Sequence, residues 1–191
     1  MKTKLLFLLL FLLQAIKLFG QQVEDSIESK LLHCIINSYA SKNININEEL
    51  LELENYLIRN KIIKDNSGSS YYSIYKTIER DNDICFLLPN KKIKRILQLK
   101  PTEIYDPSCS FNAISHNPDS NKIYQSKIYQ LYIEFVKIQE SNNVTPSIVG
   151  KAIISVLNPS DFDKPLYRTL SLLIIAYTAL TPDDFDKKIL P

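Results

Sequence analysis

A mainly α, single-domain helical bundle of about six or seven helices with an irregular middle segment is the fold class this sequence predicts. Three observations carry the expectation. Apolar residues recur at helical spacing over most of the chain, glycine is scarce at 3 of 191 residues, and the pattern lapses for a long stretch at Asp81–Asn121. Scarce glycine also removes the raw material for a phosphate-cradling loop, a dinucleotide fingerprint or a serine nucleophile elbow. Nucleotide-dependent enzymes and ordinary serine hydrolases are thereby disfavoured.

Residues 1–20, MKTKLLFLLLFLLQAIKLFG, stand apart from the domain. Lys2 and Lys4 form a basic start, Leu5–Leu13 is an unbroken apolar run, and Ala15 or Gly20 offers a small residue for cleavage. That order is the pattern of a secretory signal peptide. Gln14 and Lys17 interrupt the apolar run, and a membrane-spanning helix needs about 20 predominantly apolar residues. A cleaved leader is therefore expected, with a helical domain over 21–191, a subdivision near 101–121 as the alternative, and no stable membrane span after cleavage. The expected destination is periplasmic or secreted. The chain carries 23 Lys+Arg against 21 Asp+Glu. Lys2, Lys4 and Lys17 belong to the leader, so the domain itself is close to neutral. Its composition makes no case for nucleic acid as a partner.

The domain opens with an amphipathic helix expected over Val23–Tyr39, whose acidic start at Glu24, Asp25 and Glu28 suits the positive end of a helix dipole. A second helix is expected from Asn47 to about Ile63, burying Leu50, Leu53 and Leu57. Lys64–Ser70, KDNSGSS, reads as a turn around Gly68, and Tyr71–Glu79 as a short third helix. Within the irregular middle, ICFLL at 84–88 fits a short strand or a helix edge equally well, and Ile93, Ile96, Leu97 and Leu99 follow a rough helical spacing. Residues 101–121 hold three prolines among Asn, Asp and Ser, the composition of a long loop. Lys122–Glu140 is expected to be a helix with Tyr124, Ile128, Leu131, Tyr132 and Phe135 on one face. Thr145 followed by Pro146 has the form of an N-cap with proline at the first helical position, which starts a helix to Leu157. Pro165–Leu180 is the most apolar helix of the chain, polar chiefly at Arg168, Thr169, Ser171 and Thr178, and is expected to be buried.

That last helix is bracketed by near-copies of one octet, LNPSDFDK at Leu157–Lys164 and LTPDDFDK at Leu180–Lys187. In each, Asn158 or Thr181 precedes a proline, and Asp161 or Asp184 follows three residues later, as in a capped first turn. Two similar chain corners are the expectation. On that basis Leu173→Ala should destabilise strongly, whereas Asp163→Ala or Asp186→Ala should cost little. The sharper alternative is a cation site formed by Asp161, Asp163, Asp183, Asp184 and Asp186, but the spacing lacks the glycine and terminal glutamate of a calcium loop.

Cysteine chemistry is limited to Cys34, Cys85 and Cys109, which permit one internal bridge with one thiol left over. Cys34 and Cys85 read as small buried hydrophobes, and Cys85–Cys109 is the preferred pair if a bridge forms. Cys109 and His116 are near neighbours in sequence, with Asn112 and Asp119 alongside, which defines a formal thiol hydrolase. No protease signature surrounds them. His33 reads as a boundary residue, and no cysteine or histidine spacing suits zinc. No cofactor is expected. Eleven tyrosines raise the question of a binding face, at Tyr71, Tyr72 and Tyr75 or at Tyr124, Tyr129 and Tyr132. Helical spacing favours a core-boundary role for both groups. The functional expectation is an exported, non-enzymatic interaction or structural protein contacting a protein or envelope component. The alternative is a hydrolase with the Cys109/His116 pair or a carboxylate-based site.

Overall fold

The computed structural model describes residues 27–80, 88, 93–98, 124–141 and 145–178. Among them are six α-helices and no strand: α1 Ile27–Ala40, α2 Ile46–Arg59, α3 Gly68–Arg80, α4 Lys127–Glu140, α5 Pro146–Val156 and α6 Pro165–Thr178. Two 3-10 turns, Ile96–Gln98 and Pro159–Asp163, complete the elements. The fold is a mainly α bundle. Residues 1–20, most of the 84–88 run, the 101–121 stretch and the second octet lie outside the described residues.

Helices α1 and α2 end by the same device. After α1, Ile44 N–H donates to the Tyr39 carbonyl and Asn43 N–H to the Ala40 carbonyl, with Asn43 at φ 57°. After α2, Ile62 N–H donates to the Leu57 carbonyl and Lys61 N–H to the Ile58 carbonyl, with Lys61 also at φ 57°. Both are Schellman motifs, in which a left-handed residue folds the chain back over the last turn and an apolar residue follows it. Asn tolerates that conformation; Lys61 occupies a position that glycine would fill with less strain. This turn stops α2 at Arg59, short of the Ile63 expected from periodicity. The start of α2 also shifts, with Asn45 rather than Asn47 at its N-cap.

Helix α6 lies at the centre, in contact with α1, α2, α3 and both 3-10 turns. Leu166, Leu170, Leu172, Leu173, Ile175 and Ala176 are all buried, as the apolar stripe predicts. Tyr167 joins them, and Ser171 is the polar exception. The Ser171 backbone carbonyl accepts from the Tyr75 hydroxyl at 3.2 Å, which satisfies a polar tip that α3 sends into the core. Burial pushes the Tyr75 hydroxyl far above the ordinary phenol range, so it stays a donor. On the other side, the Ile96 carbonyl accepts from Tyr39 at 2.9 Å and from Tyr177 at 3.3 Å. These two tyrosines fasten the Ile96–Gln98 turn, itself outside any helix, between α1 and α6.

Helices α3 and α5 pack closely at Gly150. A Cβ there would stand 3.0 Å from the Glu79 nitrogen and 3.0 Å from Ile78 Cγ2. The Ser147 hydroxyl, one turn earlier, donates to the Glu79 carbonyl at 2.7 Å and satisfies an open acceptor near the end of α3. Thr145 caps α5 as the sequence predicts, its hydroxyl accepting from Ile148 N–H at 3.3 Å. Helix α4 buries Leu131 and Ile138 and packs mainly on α5.

Candidate functional site

The first octet forms a structural joint, and two of its aspartates are committed to protein partners. Asp161 is 3 % exposed. It accepts from the Asn158 N–H at 2.8 Å, the Lys127 ammonium donates to it, and Lys164 stands 3.7 Å away. Burial alone would raise its carboxyl; the Lys127 ammonium and the Asn158 N–H outweigh that and hold it below the usual range. Asp163 turns elsewhere, accepting from the Gly68 N–H at 2.7 Å. The two described members of the five-aspartate set are thus split between two different tasks. Among the described residues, no group of His, Cys, Asp and Glu assembles a metal site. Asp183, Asp184 and Asp186 lie outside the described residues.

The Asp163 contact corrects two expectations at once. Helix α3 starts at Gly68, inside the segment read as a turn, because a carboxylate from 95 residues away supplies its N-terminal partner. A Cβ on Gly68 would collide with the Pro159 carbonyl and stand 2.9 Å from Asp163 Oδ1, so glycine is required for the approach. Asp163→Ala is therefore expected to cost more than the sequence pattern implies. It removes a charge-assisted bond to a buried helix start and is expected to destabilise by about 1–2 kcal/mol. Thermal melts of the variant beside the wild type check this; an unchanged midpoint would return Asp163 to the status of a solvated surface acid.

Above this joint sits a polar network that the sequence reading did not single out. Glu54 is 6 % exposed, on the same stripe of α2 as Leu50 and Leu57. Tyr71 donates to its Oε1 at 2.5 Å, and Arg168 Nε stands 3.6 Å from the same oxygen. Arg168 also donates to the Asn66 carbonyl and lies 5.8 Å from the Tyr71 ring centre. Burial and the neighbouring Glu54 carboxylate both push the Tyr71 hydroxyl far up. A carboxylate placed three or four residues from leucines on both sides was the available signal. The arrangement ties α2, α3, α6 and the 60–67 turn together, although the buried Arg168 Nε makes no hydrogen bond among the described residues.

The 60–67 turn leads into a cleft of about 350 Å³, lined by Ile62, Ile63, Lys64, Asp65, five hydroxyl residues of the α3 start and first turns, and Ile74. Asp65 Oδ1 accepts three bonds, from Ser67 N–H at 3.0 Å, the Ser67 hydroxyl at 2.5 Å and the Ser70 hydroxyl at 2.6 Å. The two hydroxyls lead the effect that lowers its pKa to about 2. The sign follows from the depressed value. The contribution to stability is present in full above the unfolded value of about 4 and is lost as pH falls through about 2. The stability gap between wild type and Asp65→Asn is expected to hold steady above about pH 4 and to close toward pH 2. Denaturant midpoints of both proteins across that range measure it; a gap independent of pH would refute the assignment.

The two tyrosine groups part company. Tyr71 and Tyr75 are fully buried, and with half-buried Tyr72 they surround Phe162. For Tyr124 and Tyr132 the boundary expectation is overturned: they are 61 % and 60 % exposed. Their faces are ordered by Tyr129, 5.1 Å from the Tyr124 ring in an edge-on arrangement and 6.2 Å from the Tyr132 ring. The α4 seam that packs inward is Ile128, Leu131, Phe135 and Ile138, which turns Tyr132 outward.

Cys34 is buried, as expected, and is disulfide-bonded. With three cysteines in the chain, a bridge at Cys34 takes either Cys85 or Cys109 as its partner. The expected Cys85–Cys109 pair is thereby corrected, because Cys34 is both buried on α1 and bridged. Cys85, Cys109 and His116 lie outside the described residues, so the thiol pair gains no geometric support. His33 is exposed on α1. No helix among the described residues is long and apolar enough to cross a membrane.

No protein-family model, curated protein or solved structure matches the chain.

Proposed function

We propose that this is an exported, non-enzymatic helical protein that works by docking a protein partner of the cell envelope or extracellular space. The observation that carries the reading is the outward face at the start of α4, where Tyr132 and, just before the helix, Tyr124 stand exposed and packed against Tyr129. Tyrosine suits an interface because it buries a large rigid area while its hydroxyl keeps a hydrogen bond. Exposed aromatic side chains braced by one another also lose little freedom on binding. The leader-like residues 1–20 support an extracytoplasmic destination. So does the disulfide at Cys34, since such bonds persist in oxidising compartments.

A photo-reactive benzophenone side chain at position 132 tests the reading, with position 76 on another helix as control. In the native envelope fraction, a discrete crosslinked species of the chain with a second protein is expected from position 132 and not from 76. The Tyr124→Ser/Tyr132→Ser double variant should melt as the wild type does, because neither side chain is in the core. Equal crosslinking from both positions, none from either, or a product containing two copies of this chain would overturn the reading.

A further inference from the structure

We propose that the cleft between the 62–67 turn and α3 is a binding site for a polyhydroxylated ligand of the saccharide class. This goes beyond the docking role of α4 and uses none of its residues.

The first observation is the arrangement of hydroxyls. Ser69, Ser73 and Thr77 line the cleft and recur every four residues on α3, which sets them on one face at steps of about 6 Å. Ser69 and Ser73 are exposed, and their hydroxyls make no bond among the described residues. Thr77 is exposed too, and its hydroxyl donates to the Ser73 carbonyl at 3.1 Å, which leaves its acceptor capacity unused among the described residues. A hydroxyl both donates and accepts, so such a row matches a ligand that does the same at regular intervals.

The second observation is the facing carboxylate. Three donors fill Asp65 Oδ1 and lock the side chain. The other oxygen, Oδ2, has no hydrogen-bond partner among the described residues. A fixed, ionised oxygen with open lone pairs is suited to accept from two neighbouring hydroxyls of one sugar ring. Lys64 also lines the cleft and can donate. Ile62, Ile63 and Ile74 supply an apolar floor for the C–H face of the ring. The volume of about 350 Å³ falls within the range of small-ligand sites.

The third observation argues against an anion. A helix start ordinarily attracts phosphate through its open N–H groups. Here the Asp163 carboxylate holds the Gly68 N–H, and Ser67 accepts from the Ser70 N–H. Asp65 adds a negative charge at the cleft mouth. The groups left open are neutral hydroxyls, one carboxylate oxygen and the Lys64 ammonium, whose charges offset each other and favour a neutral polyol.

Titration of the isotopically labelled, oxidised full chain with maltose, cellobiose and N,N′-diacetylchitobiose tests the site, with inorganic phosphate as the anion control. At least one disaccharide is expected to give saturable amide shifts centred on residues 62–77. Asp65→Asn should weaken that binding by about tenfold or more, as loss of a charged hydrogen-bond partner does. Ser73→Leu, at an exposed position where folding is insensitive, should block it. The Tyr124→Ser/Tyr132→Ser variant should titrate unchanged, so failure of the docking role and failure of this site are separately visible. No saturable shift with any of the three sugars, shifts that Ser73→Leu leaves intact, or a phosphate response at the same residues would each overturn the proposal.

Discussion

Phe162→Ala is expected to cost about 3–5 kcal/mol, the largest loss from any single side chain of the described core. The ring is fully buried inside a box of tyrosines: Tyr71 stacks at 6.3 Å, Tyr75 at 5.7 Å, and Tyr72 meets it edge-on at 6.4 Å. Aromatic pairs of this kind add about 0.5–1.5 kcal/mol beyond area burial. The decisive term is the cavity. A site that relaxes after truncation recovers part of the loss, whereas one with pinned walls does not. Two walls here are pinned, Tyr75 by its bond to the Ser171 carbonyl and Tyr71 by its bond to Glu54. Moving either ring inward would break a buried hydrogen bond to fill a void. Urea unfolding should therefore place Phe162→Ala near the top of the range and Phe162→Leu well below it. A cost under about 1.5 kcal/mol would mean that the box collapses and that the tyrosines are not fixed by their hydroxyls.

Leu173→Ala should destabilise by about 2–5 kcal/mol. Leu173 is buried on α6, the helix that touches α1, α2, α3 and both 3-10 turns. Its surroundings are contributed by elements far apart in sequence, so the loss should appear as a lower denaturation midpoint with an unchanged slope. A lower slope would mean instead that the variant unfolds in parts, with α6 loosening before the rest. The expected order of cost is Phe162, then Leu173, then Asp163. The last gap is narrower than the sequence reading implied, because Asp163 caps a helix.

What was legible before the structure was local or strongly periodic. Thr145 and Pro146 announce α5 because both the cap and the fixed φ act within one turn. The burial of α6 is legible because a stripe so wide has no polar side left to face water. What was not legible is whatever partner chemistry crosses the chain. Gly68 reads as a turn glycine until Asp163 and the Pro159 carbonyl are brought against it. Glu54 reads as one acid among several on a helix until Tyr71 and Arg168 meet it. Tyr75 and Tyr132 are the same residue at the same kind of helical spacing, and one is buried while the other is exposed. Spacing shows which residues share a face, but not which face finds a neighbour. The same holds for the hydroxyls of the cleft, since Ser69, Ser73 and Thr77 are an ordinary solvated stripe until the 62–67 turn rises opposite them.

The Asp163–Gly68 contact also bears on when the protein acquires its structure. The start of α3 is completed by a carboxylate from the other half of the chain, 95 residues later. During synthesis, helices α1 to α3 emerge without that partner, and contacts across such a span form late because loop closure must come first. The N-terminal half alone lacks both the cap on α3 and the Phe162 ring that its tyrosines enclose. Such a chain is expected to complete its packing only when its C-terminal part has arrived. Under the export proposed above, that order would be an advantage: the joint could close only once the 159–163 segment had followed the first three helices through the channel.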